Sequence, residues 1–216
     1  MRNALIIGGT GLTGKKLTRL LLADKRYQQV KLLVRKPMDI IYERLEQIPY
    51  DFDSPDFNKI VADELFCCLG TTIKNAGSKK AFYQVDYEYV LQTAEAAYKN
   101  GCRKFALVSS MGANSKSMFF YSKTKGEIEE AVKNIGFESC FIFRPSLLLG
   151  HRSHVRFGES FAQAVLPKIA FLLPKKYRPI QSKLVAAAMQ LVMNGDYKGV
   201  RLFESDEIDA IASRAQ

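Results

Sequence analysis

The stretch that decides the fold is ALIIGGTGLTG, residues 4–14. Four apolar residues predict a short buried strand, and Gly8, Gly11 and Gly14 follow with the spacing G-x-x-G-x-x-G. Glycines at this spacing allow a tight turn and let the backbone approach a pyrophosphate, while a helix that begins at the turn directs its free N–H groups at the anion. The motif therefore predicts a dinucleotide site that includes Gly8. The alternative is a turn that only packs the helix against the strand.

The rest of the chain alternates strand and helix signals. Leu17, Leu20 and Leu21 form the apolar stripe of a helix directly after the glycines, as expected for a first βα unit. Further strands are predicted at 30–34, 48–52, 65–69, 105–108, 140–143 and 200–203, and further helices at about 57–61, 79–100, 121–134, 160–173 and 182–193. Apolar strands separated by helices predict a doubly wound, parallel α/β sheet of the Rossmann type. We expect a single domain over residues 1–216, in which residues 151–216 add a small lobe on the substrate side.

The end of the second predicted strand indicates which cofactor is bound. A site for NAD usually has an acid here, which accepts a hydrogen bond from the ribose 2′-hydroxyl. This chain has Arg35 and Lys36 instead, and a guanidinium matches a 2′-phosphate with two parallel hydrogen bonds. The two cations therefore predict NADP(H). The alternative is a strand-end arginine that is exposed to water.

A third motif follows the predicted strand at 105–108. Ser110 lies in the next loop, and Tyr121 and Lys125 stand four residues apart, on one face of the following helix. A tyrosine, whose ordinary pKa is about 10, exchanges a proton near neutrality only if positive charges favour the phenolate. We expect Tyr121 to transfer the proton, Lys125 to assist it and hold the nicotinamide ribose, and Ser110 to donate to the substrate carbonyl oxygen. The alternative is a Tyr/Lys pair on an ordinary helix surface.

These motifs resemble those of the short-chain dehydrogenase/reductase superfamily in its extended and atypical branch, and more closely the Tat-interacting-protein-2 oxidoreductases. The resemblance rests on FCCLGTT at 66–72, VD at 85–86 with YVL at 89–91, SS at 109–110 with GA at 112–113, Tyr121 with KGE at 125–127, and FRP at 143–145 with Leu148. It implies an NADPH-dependent oxidoreductase that acts on a carbonyl or its alcohol. The cofactor site that it implies consists of Thr10, Gly11, Leu12, Thr13, Arg35, Lys36, Leu69, Gly70, Tyr121, Lys125, Leu148 and Arg156. Many relatives carry an active-site asparagine near residues 84–88, where this chain has Asp86.

The chain is basic, with 32 Lys and Arg against 22 Asp and Glu in 216 residues, a net charge of +10. Residues 151–183 contain seven basic residues and one acid, so this segment holds +6 of the excess. It is interpreted first as a solvated face, with a lip over a phosphorylated ligand as the alternative. A nucleic-acid surface is a third interpretation, but no recognisable nucleic-acid module is present and we expect no such partner.

The sequence also indicates location and partners. No apolar run approaches the roughly 18 residues of a membrane span, and residues 4–7 are too short for the apolar region of a secretory signal. We therefore expect a cytoplasmic protein without a membrane span that takes a small-molecule substrate. Monomer and homodimer both stay open.

Cysteines and histidines give no chemistry of their own. The cysteines, at 67, 68, 102 and 140, form no C-x-x-C pair and are expected to be buried free thiols. His151 and His154 lack a clear third ligand, so no metal site is predicted.

Two other functions stay open beside the oxidoreductase. One is a redox-sensing or protein-binding module that holds NADPH without turnover. The other is a nucleotide-sugar epimerase or dehydratase, for which few residues remain after 150.

Overall fold

The computed structural model describes residues 1–150 and 174–214, and its main feature is a seven-stranded parallel sheet. The strands are β1 (Arg2–Ile7), β2 (Tyr27–Val34), β3 (Leu45–Pro49), β4 (Glu64–Cys67), β5 (Lys104–Val108), β6 (Ser139–Arg144), β7 (Leu148–Leu149), β8 (Ile180–Gln181) and β9 (Gly199–Glu204). Their order in the sheet is β3-β2-β1-β4-β5-β6-β9, and β7 pairs with β8 beside it. The doubly wound Rossmann-type fold predicted from the sequence is confirmed.

Helices connect the strands. They are α1 (Leu12–Ala23), α2 (Ile73–Ala76), α3 (Lys79–Tyr83), α4 (Tyr89–Lys99), α5 (Phe120–Lys133), α6 (Ser182–Asn194) and α7 (Ser205–Ser213). A π-helical turn, Gln84–Glu88, joins α3 to α4, and 3₁₀ turns lie at Phe57–Lys59 and Lys175–Tyr177. The helix predicted at 79–100 is therefore interrupted in its first half. Apolar periodicity does not reveal this, because the π turn keeps the chain helical on both sides.

The core lies on both faces of the sheet. Side chains of α1, α6 and α7 pack on one face with Ala4 and Ile6, whereas α4 and α5 pack on the other with Leu5 and Ile7. Neighbouring residues of a strand point to opposite faces, so a continuously apolar strand serves both layers. The described residues beyond 173 join this arrangement, because β9 pairs with β6 and α6 packs against α1.

The third strand differs from its predicted position. It ends at Pro49 rather than covering 48–52. Proline has no N–H to donate to a sheet ladder, and it terminates this edge strand. Tyr50 and Phe52 are buried, but they pack under α4 from the following loop. Burial rather than pairing therefore explains the apolar signal at 50–52.

The strand order reverses at β1. From β1 the chain moves outward to β2 and β3, and then crosses to β4 on the other side of β1. In open α/β sheets, ligands bind in the crevice beyond the carboxyl ends of the strands at such a point. The glycine turn after β1 and the segment after β4 meet there.

Candidate active site

The glycine turn packs backbone against backbone. Gly8 has φ +75°, and a Cβ on it would lie 2.4 Å from the Cys68 carbonyl carbon. A Cβ on Gly14 would lie 2.2 Å from the Gly8 carbonyl oxygen. The Gly11 N–H donates to the same oxygen at 3.0 Å. Only glycine fits these positions, and the result is a narrow turn that presents the start of α1 to the crevice.

The first turn of α1 is free to receive an anion. Its N-cap, Gly11, offers no side-chain acceptor, and the turn contains no acidic residue. The Thr13 hydroxyl is buried and has no hydrogen-bond partner among residues 1–150 and 174–214. Free backbone N–H groups, the positive end of the helix dipole and an unpaired hydroxyl together fit a pyrophosphate. The residues present therefore suit a dinucleotide.

A pocket of about 390 Å³ lies at this point of the sheet. Among the residues predicted for the site, its walls contain Thr10, Gly11, Leu12, Thr13, Leu69, Gly70, Tyr121, Lys125 and Leu148. Gly8 lies next to the wall, where it supports the turn. Arg156 lies outside the described residues, as do His151 and His154.

Besides Gly8, three of the predicted residues that the structure describes do not line this pocket. Arg35 and Lys36 are exposed at the carboxyl end of β2, the strand next to β1. The Ser110 hydroxyl donates to the Met111 carbonyl oxygen at 3.3 Å. Its neighbour Ser109 does line the pocket, and its hydroxyl donates to the buried Glu129 at 2.5 Å.

The pocket has a basic wall that the motifs did not indicate. Lys15, Lys16 and Arg19 lie on the exposed side of α1 and line the pocket. None of them pairs with an acid in the part of the chain that the structure describes. Their spacing on α1 was the available signal, but it is also typical of a solvated helix face.

Tyr121 and Lys125 reach the pocket from the first two turns of α5. The Tyr121 ring packs against Phe82, with ring centroids 5.4 Å apart. The Lys125 side chain is buried, with 6% of its surface exposed. Gly126 lets α5 approach the preceding loop, because a Cβ there would lie 2.0 Å from the Ser115 nitrogen. Close packing thus fixes the part of the helix that carries both side chains.

The motifs assigned no role to Asp86, which the structure places beside Lys125. Its Oδ1 lies 2.7 Å from the Lys125 Nζ, and its Oδ2 accepts from the Thr71 N–H at 2.8 Å. Burial opposes the charged form of Lys125, but the Asp86 carboxylate and Tyr121 outweigh it, so the pKa of Lys125 is raised. The contact crosses from the π-helical turn to α5, and no local spacing reveals it.

The cysteines are free thiols, as predicted. Burial raises the pKa of Cys67, Cys102 and Cys140 to about 12, while Cys68 is half-buried and lines the pocket. The described residues contain no group of three His, Cys, Asp or Glu side chains that could hold a metal ion. Within the described ranges, no helix has the length and apolar character to cross a membrane.

Comparison with known proteins identifies the family. The model of the NAD(P)H-binding family matches residues 8–162. Protein HTATIP2 of Rattus norvegicus is 37% identical over 170 residues, which cover 75% of this chain and 69% of the relative. The mitochondrial protein FMP52 of Eremothecium gossypii is 34% identical over 214 residues, which cover 95% of each chain.

Structures of other proteins share the fold. MoeE5 in complex with UDP-glucose and NAD superimposes with a TM-score of 0.72 and 13% identity, over 99% of this chain and 82% of that one. UDP-N-acetylglucosamine 4-epimerase from Methanobrevibacter ruminantium gives 0.71 and 20%, over 94% and 76%. At such low identity the likeness shows the fold alone.

The cytoplasmic location expected from the sequence is contradicted by the relatives. FMP52 of Eremothecium gossypii, Candida albicans and Candida glabrata is named as a mitochondrial protein. The lack of a secretory signal does not separate a cytoplasmic protein from a mitochondrial one, because mitochondrial leaders are amphipathic and Arg-rich rather than apolar.

The fold, the glycine turn and the relatives agree on the class of protein. The turn and the free start of α1 suit a nicotinamide dinucleotide, and the family model describes NAD(P)H binding over the same residues. The chain belongs to the NAD(P)H-binding family, as an atypical short-chain dehydrogenase/reductase related to HTATIP2 and FMP52.

Proposed function

We propose that the protein is an NADP(H)-dependent oxidoreductase that interconverts a carbonyl compound and its alcohol. One observation carries the proposal: Tyr121 and Lys125 line the same pocket as the glycine turn. A proton-transferring hydroxyl and a dinucleotide-binding turn in one pocket are what this reaction needs. The single-domain arrangement, with residues 151–216 on the substrate side, is part of the same proposal.

The proposed cofactor contacts follow from the charges around the pocket. The N-terminus of α1 and Thr13 bind the pyrophosphate, and Lys15, Lys16 and Arg19 add positive charge beside it. The proposal includes three further groups of predicted residues: Arg35 and Lys36 at the 2′-phosphate, Leu69, Gly70 and Leu148 along the pocket wall, and Arg156 as a further basic contact.

The proposed chemistry divides between cofactor and protein. When bound, the nicotinamide supplies or takes up the hydride. In reduction, the Tyr121 hydroxyl donates a proton to the carbonyl oxygen as the carbonyl carbon gains the hydride, so the product is the neutral alcohol. Lys125 holds the ribose and stabilises the negative charge left on Tyr121. Ser110 reaches the substrate oxygen only after its hydroxyl turns away from the Met111 carbonyl.

The test combines binding with turnover. Titration with NADPH and with NADH, followed by fluorescence, gives the two affinities, and the holo-protein is then offered a panel of aldehydes and ketones. The proposal predicts tighter binding of NADPH and its oxidation by at least one carbonyl compound. Tighter binding of NADH would contradict the NADP(H) assignment.

A second candidate function is a module that binds NADPH without turnover. The position of Ser110 favours it, because a hydroxyl outside the pocket wall does not polarise a substrate carbonyl. In this case NADPH binds, but no member of a broad carbonyl panel oxidises it. If the wild type turns over any such compound and Ser110→Ala does so at a much lower rate, the result would support the oxidoreductase instead.

A further inference from the structure

The Asp86–Lys125 ion pair lies almost entirely out of water. The Asp86 side chain is fully buried, and 6% of the Lys125 side chain is exposed. The Lys125 Nζ and the Asp86 Oδ1 lie 2.7 Å apart, so the two charged groups are in direct contact. Removing a charge from water is costly, so each charged group is stable in this position only because the other lies next to it.

Two features of the backbone hold the Asp86 side chain in its position. The π-helical turn Gln84–Glu88 contains it, and the Thr71 N–H holds its second carboxylate oxygen at 2.8 Å. Gly70 leaves room for the pair, because a Cβ there would lie 3.3 Å from Asp86 Oδ1 and 3.5 Å from Lys125 Nζ. The segment after β4, the π turn and α5 therefore meet at one ammonium group.

The charges that face Lys125 come from three elements. Asp86 faces it from the π turn and Tyr121 from α5 itself, and both favour the ammonium; the buried Cys67 thiol of β4 acts in the same direction. Burial acts against the ammonium. Of these neighbours, only Asp86 forms an ion pair with it.

We propose that Asp86 is the positioning residue of this site: its carboxylate holds the Lys125 ammonium at a fixed point of the pocket and keeps it protonated, and thereby sets the alkaline limit of cofactor binding. This inference rests on the proposed function in one respect, that Lys125 binds the cofactor. Asp86 lies behind Lys125 and contributes no atom to the pocket wall. Its effect passes through the lysine.

The primary test is Asp86→Asn, which retains the shape of the side chain and an acceptor for the Thr71 N–H. The ¹³Cε signal of Lys125, assigned with Lys125→Met, is followed by NMR from pH 6 to pH 11 in the protein without cofactor. We expect the Lys125 titration to move to lower pH by at least about one unit, because a buried lysine without a counter-ion loses its proton readily. An unchanged titration would overturn the proposal, whatever the protein catalyses.

The second readout is NADPH affinity against pH. Asp86→Asn is expected to bind NADPH nearly as tightly as the wild type at pH 6.5 and at least about tenfold more weakly at pH 9.5. The loss at high pH is that of one charge-assisted hydrogen bond, because a neutral Lys125 no longer provides it to the cofactor. Glu64→Gln is the matched control, because Glu64 is also a buried carboxylate but pairs with Arg2 and does not line the pocket. An equal loss at both pH values, or the same pH dependence in the control, would mean that Asp86 is only structural.

A double variant keeps the test decisive if Asp86→Asn folds poorly. Lys125→Met with Asp86→Asn contains no buried charge at this point and is compared with Lys125→Met alone. If Asp86 acts through Lys125, the second change has no effect on NADPH affinity at any pH. A further loss in the double variant would show a separate role for Asp86. If no variant or wild type binds NADPH, the proposed function fails, while the NMR titration still decides the role of Asp86.

Discussion

Replacing Gly14 with alanine tests the cofactor turn most sharply. The new Cβ would lie 2.2 Å from the Gly8 carbonyl oxygen and 2.8 Å from the Gly9 Cα, so the backbone must move by about 1 Å to reach ordinary contact. Such overpacking costs about 1–3 kcal/mol, against a gain of about 1 kcal/mol from the helix propensity of alanine. The net loss is up to about 2 kcal/mol, which lowers Tm by up to about 8 °C for a chain of this size.

The larger effect of Gly14→Ala falls on binding. Moving α1 away from Gly8 misplaces the first N–H groups of the helix. Losing one charge-assisted hydrogen bond of about 1.5–3 kcal/mol would weaken NADPH binding by about 10- to 150-fold. Calorimetric titration of the folded variant measures this. The control is Gly101→Ala, where φ is +96° and no atom of the described residues lies within 4 Å of the added Cβ. The Gly101→Ala variant therefore carries a backbone strain of about 1–2 kcal/mol at a point far from the pocket. If folded Gly14→Ala binds NADPH like the control, the pyrophosphate does not lie on this turn.

Three other predictions follow from single groups. Arg35→Ala is expected to weaken the binding of NADPH by about 10- to 150-fold, and that of NADH hardly at all, in fluorescence titrations. Equal losses of affinity for the two cofactors would show that Arg35 does not contact the 2′-phosphate. Glu129→Ala leaves the half-buried Arg144 without its nearest partner, and we expect denaturant unfolding to show a loss of about 3–5 kcal/mol; a loss below about 1 kcal/mol would contradict this. Burial raises the pKa of Cys67, Cys102 and Cys140 to about 12, so about 10⁻⁴ of each thiol is thiolate at pH 8. Alkylation at these three residues, located by peptide mass spectrometry, should be slow in the folded protein and fast after unfolding; rapid alkylation of any of them in the folded state would contradict its burial.

The sheet could be predicted from the sequence because its signals are local. β4 and β5 each contain an apolar run and are followed by a helix, and the glycine spacing at residues 8–14 can be recognised from that segment alone. The two-residue strands β7 and β8 were not predictable in this way. They pair residues 148–149 with 180–181, and two residues are too few for a periodicity.

The site was predictable where one segment supplies the chemistry. Tyr121 and Lys125 share a helix face, and their spacing is visible in the sequence. Asp86 could be seen only as an acid at a position where relatives carry asparagine. Its role depends on a contact between two distant segments, which the fold creates. Ser109 and Ser110 were also indistinguishable beforehand, because the buried Glu129 that engages one of them comes from α5.

The central claim is that Tyr121 transfers the proton in a pocket that binds NADP(H). Tyr121→Phe removes only the hydroxyl and leaves the ring packed against Phe82. With a carbonyl substrate that the wild type accepts, NADPH oxidation is followed by stopped-flow absorbance under single-turnover conditions, beside an NADPH titration of the same variant. We predict a rate at least about 10²-fold lower, with NADPH affinity changed much less. A Tyr121→Phe variant that reduces the substrate at the wild-type rate would contradict the account, because the proton must then come from another group.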